Sequence, residues 1–366
     1  LLDVAAAAGN AQAAYQLGLC YLQGLGLPVD AVEAARRFTA AAEAGHAGAM
    51  VKLACLHLAG LPAERLVGDG AGLFNAELAT RVDFAAAELW ARRAAQAGSA
   101  EGQSILAFIL SSGPAERRDE AAADCWYEKA ALAGAPQGRL GLGLLRLRRA
   151  ESDAATWAAV AEIRKAAEAG LAMAHDCLGA IYENAVGVAQ DFAASVAHYE
   201  AAAQAGIPRA MGRYGYALMQ GRGVAANRME GETWLRRAAL AGDVASALRL
   251  GKLYTEADGV PPNYAEAAMW FQRAAEGGSG EAAGALGTLY LRGAGVGRDA
   301  AEAAAWFGRG AEAGDNVSAY NFAVCLAEGV GVARDDARAL MWLRLAAEGV
   351  PEARYWAERM EPEGRG

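Results

Sequence analysis

Cysteine, histidine, proline and lysine are all scarce in this 366-residue chain, and each shortage removes a class of protein. The five cysteines (Cys20, Cys55, Cys125, Cys177, Cys325) form no C-x-x-C pair. Their odd count and scattered spacing predict free, mostly buried thiols, which favours the cytoplasm; a removed leader would leave the periplasm open. The four histidines (His46, His57, His175, His198) lie far apart with no H-E-x-x-H, so no metal site is expected. His175 and Asp176 are neighbours on a helix and cannot face each other as a catalytic pair. There is no G-x-S-x-G elbow, and Gly251-Lys252 lacks both the upstream glycine and the downstream hydroxyl of a phosphate loop. Nothing else in the sequence suggests a cofactor. The longest uncharged stretch, Val4 to Val29, is broken by Asn10, Gln12, Gln16 and Gln23, so it reads as a surface helix and turn rather than a membrane span. Only Lys52, Lys129, Lys165 and Lys252 are lysines, and the net charge is −9, which disfavours non-specific binding to nucleic acid or anionic membranes.

What the chain has instead is small residues. Alanine supplies about a quarter of it and glycine 45 residues, against 9 prolines, while apolar residues reach 54%; collagen-like and disordered classes are excluded. The small residues recur. Ala107, Gly143, Gly179, Gly215, Gly251, Gly287 and Ala323 are spaced by 36 throughout, each following a large apolar residue. A second marker, Gly98, Gly134, Gly170, Gly206, Gly242, Gly278 and Gly314, closes each unit with the same period. Within a unit the pattern is helix, tight turn, helix. Gly280 to Arg292 is amphipathic, Gly293-Ala294-Gly295-Val296 breaks it, and Asp299 stands where an N-cap belongs before Ala300 to Ala313. Asp191, Asn227, Asn263 and Asp335 occupy the same cap position, and Trp234, Trp270, Trp306 and Trp342 are the anchors of the second helices. A helix pair of 36 residues cannot bury its apolar face alone, so neighbours must stack. The tryptophan row is accordingly read as core, and the basic pairs Arg92-Arg93, Arg164-Lys165 and Arg236-Arg237 as helix C-terminal charges.

The pattern A-x-x-x-L-G-x-x-Y…G-x-G-V…D…A-x-x-W-[YF]-x-x-A-A-x-x-G, seen most completely in Leu286-Gly287-Thr288-Leu289-Tyr290, Gly293 to Val296 and Trp306-Phe307, resembles the Sel-1-like repeat, a relative of the tetratricopeptide repeat. The resemblance implies an all-α fold, an α/α superhelical solenoid, here of about nine helix-turn-helix units over residues 10–349. Residues 1–9 read as the end of a preceding unit's second helix, so the natural protein is expected to extend further. Residues 350–366 read as a capping helix and tail. The second unit carries 17 extra residues within 61–82, and units three and four replace the glycine turn with Ser111-Ser112-Gly113-Pro114 and Arg146-Leu147-Arg148-Arg149.

The resemblance further implies a non-enzymatic scaffold that binds a protein or peptide on a concave face lined by the first helices, in bacterial signalling or complex assembly. The alternatives are a periplasmic component of envelope or polysaccharide-export assembly and, remotely, a β-lactamase-like enzyme. The cysteine-rich relatives with that last label pair two cysteines within a unit; no unit here contains two. The residue two before each small marker should form a ladder across the groove: Gln16, Lys52, Ile105, Gly141, Cys177, Arg213, Arg249, Ala285 and Asn321. With Arg209 and Lys252, the arginines of units six and seven form a basic patch suited to an acidic segment or a C-terminal carboxylate. Phe74 and Arg81 of the insertion and Arg146, Arg148 and Arg149, with Arg117, Arg118 and Arg139 nearby, are candidates for a second contact.

Overall fold

The computed structural model describes residues 2–60, 82–256 and 261–360, and its regular elements there are all helical. Helix α1 (Leu2–Ala7) is followed by nine consecutive pairs. The pairs are α2 (Ala11–Gln23) with α3 (Ala31–Glu43), α4 (Ala47–Ala59) with α5 (Phe84–Gln96), and α6 (Ala100–Ser112) with α7 (Glu120–Leu132). Next come α8 (Pro136–Arg148) with α9 (Asp153–Glu168), α10 (Ala172–Glu183) with α11 (Phe192–Gln204), and α12 (Pro208–Gln220) with α13 (Arg228–Leu240). The last are α14 (Val244–Thr255) with α15 (Tyr264–Glu276), α16 (Gly280–Arg292) with α17 (Ala300–Glu312), and α18 (Asn316–Glu328) with α19 (Asp336–Ala346). Helix α20 (Pro351–Met360) packs after them, burying Ala353 and Ala357 with Leu343 and Ala346 of α19. No helix among the described residues is long and apolar enough to cross a membrane.

Acceptor side chains start the second helices. Asp191, Asn227, Asn263, Asp299 and Asp335 each accept a backbone N–H from the first turn, as their spacing predicts, and so do Asp30, Asp83 and Asp119. The backbone N–H of the cap residue also reaches back to the preceding first helix. Asp30 donates to Tyr21, Asp119 to Leu110, Asn227 to Leu218, Asn263 to Tyr254, Asp299 to Tyr290 and Asp335 to Leu326, all within 2.8–3.0 Å. In the second unit Asp83 donates to His57 at 2.9 Å, although 17 more residues intervene. Because the base of the insertion is tied by the same bond as every short turn, deleting Pro62 to Thr80 is expected to leave the helical signal per residue and the melting midpoint unchanged. Global loss of circular dichroism would overturn that expectation.

Small residues let the two helices of a unit approach. The fourth residue after the cap is Ala34, Ala87, Ala123, Ala267, Ala303 or Ala339, each without exposed surface, and the residue before the small marker supplies the bulk, as in Leu106, Leu178, Leu250 and Leu286. The anchor tryptophans divide. Trp270 and Trp306 are buried, whereas Trp90, Trp126, Trp234 and Trp342 are half-covered. One turn on, a cation lies over the ring: Arg93 over Trp90 at 4.9 Å, Lys129 over Trp126 at 4.2 Å, Arg237 over Trp234 at 5.0 Å and Arg309 over Trp306 at 4.5 Å. These contacts, as well as the helix dipole, explain the basic residues near the helix ends. Arg273 does a third thing, donating at 2.8 Å to the terminal carbonyls of Ala239 and Leu240 on α13.

The glycine turns also dock. Gly295 approaches the first residue of α15, Tyr264, so closely that an added Cβ would overlap the backbone; Gly223 meets Phe192 and Gly331 meets Ala300 in the same way, each 31 residues back. Unit four departs from this scheme. Its turn is shorter by three residues and α9 is correspondingly longer, 16 residues against the usual 13.

The chain divides into two compact units, Leu1–Gln190 and Asp191–Gly366, each with its own clusters of buried alanine, leucine and aromatic side chains. The cysteines correct the sequence reading. All five are free, but only Cys325 is buried; Cys55 and Cys125 are exposed, because they stand on outward positions of α4 and α7 rather than between helices.

Candidate functional site

Several first helices present side chains that the repeat does not need for packing. In the Leu1–Gln190 unit, α4, α6, α8 and the start of α10 surround a cavity of about 550 Å³. Its walls are Val51, Ile105, Phe108, Leu140, Leu144, Leu171 and Met173, and its polar edge is Lys52, Glu101, Ser104 and Gln137. Tyr127 of α7 forms part of the lining; an added Cβ at Gly141 would overlap its ring, so glycine at this ladder position is what lets the tyrosine lie there. The Tyr127 hydroxyl is 3.4 Å from that of Ser111, and burial pushes its pKa up. Phe108, Leu144 and Met173 remain 46%, 42% and 44% exposed, large apolar surface left open among the described residues.

Two charges border this cavity. Lys52 on α4 is half-buried and Glu101 on α6 is exposed, and among the described residues neither enters an ion pair. The exposed Cys55 thiol lies within the field of both; burial, the larger effect, raises its pKa, the Lys52 ammonium lowers it and Glu101 raises it.

The Asp191–Gly366 unit presents a different first-helix face. Arg209, Arg213 and Tyr216 succeed one another at helical spacing on α12, and all are exposed. The half-buried Arg249 of α14 sets its guanidinium 4.7 Å from the centre of the Tyr216 ring, and Lys252, one turn on, pairs with Glu281 of α16 at 2.5 Å. The basic residues picked out by the ladder thus stand on α12 and α14, joined by the contact of Arg249 with the Tyr216 ring of α12, which the ladder position alone does not reveal. Gln16 is exposed on α2 and does not line the groove of its unit, and Asn321 is half-buried on α18.

The second candidate cluster is largely consumed by the fold. Arg146 donates twice to Asp124 at 3.0 Å and once to Glu128 at 3.3 Å. Arg148 and Arg149 both pair with Glu120, at 2.9 and 3.9 Å. Arg117 meets Glu88 at 2.8 Å, Arg139 meets Glu162 at 3.5 Å, and Arg118 donates to the Gly113 carbonyl at 2.6 Å. The hydrogen bonds from Arg146 hold the Asp124 carboxyl below the usual carboxylate range and push the guanidinium pKa up. Arg146, Arg148 and Arg149 thus neutralise an acidic stripe on the preceding second helix, Glu120, Asp124 and Glu128, spaced by four. Phe74 and Arg81 lie outside the described residues.

His46 has a structural role. His46 caps α4 through Nδ1, which accepts from the Ala49 N–H at 3.1 Å, and its ring stacks on Tyr15 at 4.4 Å. Among the described residues no three histidine, cysteine or carboxylate side chains converge as a metal site.

What the ladder missed is the position three residues further along the first helix. One residue after the small marker stand Cys55, Phe108, Leu144, Ala180, Tyr216, Lys252, Thr288 and Val324. Bulky apolar groups in units three and four of that series were the available signal for the groove.

The Sel1 repeat family matches residues 11–46, 63–99, 100–134, 172–207, 208–243, 244–279, 280–315 and 317–349, eight repeats that leave out α4 and the α8/α9 pair with its shortened turn. Among solved structures the chain is similar to a protective antigen of uropathogenic Escherichia coli strains that displays an SLR fold, with 29% identity and a TM-score of 0.60 over 98% of this chain and 73% of that one. It is also similar to a Sel1 repeat protein from Oxalobacter formigenes, 29% identical over 56% of this chain and 86% of that one, with a TM-score of 0.49. No curated protein matches the sequence. The eight matched repeats and the all-helical α/α solenoid architecture establish that the chain belongs to the Sel1 repeat family.

Proposed function

We propose that this protein is a non-enzymatic scaffold that holds a protein or peptide partner on the faces built by its first helices. Sel1 repeat solenoids are commonly interaction scaffolds, and one observation supports that role here. Phe108, Leu144 and Met173 are left 42–46% exposed around a cavity by helices whose other apolar residues are packed away. Large apolar side chains gathered on a surface mark interaction sites, because leaving them in water costs free energy that a partner recovers. The Arg213, Tyr216, Arg249 and Lys252 face is a second contact, suited to a carboxylate-bearing segment: guanidinium forks recognise carboxylates, and the Tyr216 ring holds one of them in place. In the same reading, residues 10–349 are nine tandem units, α8/α9 being a divergent one, and α20 is the cap.

The experiment is reversal of charge. Changing Arg213 and Arg249 together to glutamate is expected to abolish retention of the main partner in a pull-down, with helicity and melting unchanged. Retention at the level of the unaltered protein would remove the basic face from the binding surface.

A further inference from the structure

The groove of the Leu1–Gln190 unit has two halves that call for different partner atoms. Its walls are apolar. Its edge carries Lys52 and Glu101, opposite charges on successive first helices that bracket Cys55 and form no ion pair among the described residues.

Comparison with the other compact unit shows why Glu101 stands without a cation. Glu101 lies six residues before its small marker Ala107, as Glu281 lies six before Gly287. Glu281 is paired with Lys252, the residue after the marker of the unit before. In the groove that position is Cys55, which brings no charge. The carboxylate at this repeat position therefore has a cation in one compact unit and lacks it in the other, where it borders an open apolar cavity. Lys52 occupies the repeat position of Arg249, which is stacked on the Tyr216 ring; the residue corresponding to Tyr216 before Lys52 is Leu19, which offers no ring face. Both charges of the groove are those that repeat neighbours satisfy elsewhere.

We infer that the groove takes a segment of a protein partner presenting a large aliphatic or aromatic side chain flanked by one basic and one acidic residue. The anchor enters between Ile105, Phe108, Leu140 and Leu144; the partner's cation meets Glu101 and its carboxylate meets Lys52. This rests on the scaffold reading above and adds the chemistry of the segment. Opposite charges side by side on one edge favour a mixed-charge segment over an all-acidic or all-basic one, because like charges facing each other across an interface are penalised.

The test uses the full chain and four fluorescein-labelled peptides of about twelve residues, each with a central Phe-Leu anchor and no cysteine. They are flanked by one arginine and one aspartate, by two arginines, by two aspartates, or by two serines. Anisotropy gives affinity, and alkylation of Cys55 and Cys125, read by mass spectrometry, locates the bound peptide. The mixed-charge peptide is expected to bind at least tenfold more tightly than either like-charged peptide and to protect Cys55 but not Cys125. Glu101→Lys is expected to move the preference to the two-aspartate peptide, and Lys52→Glu to the two-arginine peptide, with circular dichroism unchanged in both variants.

Binding that ignores peptide charge overturns the inference and leaves the scaffold reading standing. So does binding that leaves Cys55 open to alkylation. Failure of all four peptides to bind overturns the groove assignment, and the scaffold reading is then judged on the Arg213 and Arg249 reversal alone.

Discussion

Replacing Leu286 with alanine is expected to destabilise the Asp191–Gly366 unit by about 3 kcal/mol. The side chain is 1% exposed and sits in one cluster with Leu250, Trp270, Phe271 and Trp306, so it belongs to a core shared by two successive helix pairs, α14/α15 and α16/α17. Removing three carbons there forfeits their transfer free energy and opens a void that rigid aromatic neighbours close poorly. In a stack whose repeats touch only their neighbours, the loss should be greatest in α14 to α17 and decay away from them. Urea unfolding should show a lower midpoint at unchanged slope, and hydrogen exchange should show α16 deprotected first. Leu240→Ala is the matched control, since Leu240 is 63% exposed, and it should change stability by less than about 0.5 kcal/mol. Equal effects of the two substitutions would mean that the cluster contributes nothing beyond composition.

Gly295→Ala is expected to cost about 3 kcal/mol, combining about 1–2 for a left-handed backbone and about 1–3 for forcing apart packed atoms. Gly295 has φ of +71°, and the new Cβ would run into the backbone of Tyr264 and Ala265 at the start of α15. No side chain can rotate away to relieve that contact, because the obstacle is main chain at a capped helix start. Gly297, two residues further along the same turn, has open space where its Cβ would be. Gly297→Ala should therefore be neutral within about 0.5 kcal/mol in the same thermal melts. A loss at both positions would point to the turn's general flexibility rather than to its contact with α15.

The contrast between these glycines marks the limit of what the amino-acid sequence discloses. Period, helix boundaries and caps are local matters, so Asp191, Asn227, Asn263, Asp299 and Asp335 were readable as acceptors from spacing alone. That Gly295 ends no helix but touches another unit 31 residues back is a tertiary fact with no local signature. The basic clusters illustrate the same point. Arg146, Arg148 and Arg149 count as an exposed patch until the acidic stripe of α7 is placed against them, whereas Arg213, Arg249 and Lys252 do lie on adjoining first helices. The groove was hidden for another reason. Lys52, Ile105 and Gly141 of the ladder do line it, but its exposed anchors Phe108 and Leu144 stand three residues further along, and its Tyr127 contact depends on Gly141, a position with no local signature.

The bond between Asp83 and His57 has a consequence for what this scaffold can carry. Among the described residues seven units close their turns with that same hydrogen bond, so the distance between the two feet of the turn is fixed whatever lies between them. Lengthening the span from 9 to 26 residues, as the second unit does relative to its siblings, raises the closure entropy cost by only about 1 kcal/mol. Each of these turns is in effect a standard socket. A foreign recognition loop seated in any of the other six should leave the helix register untouched, and the number and order of such loops along the array could be chosen independently of the core that supports them.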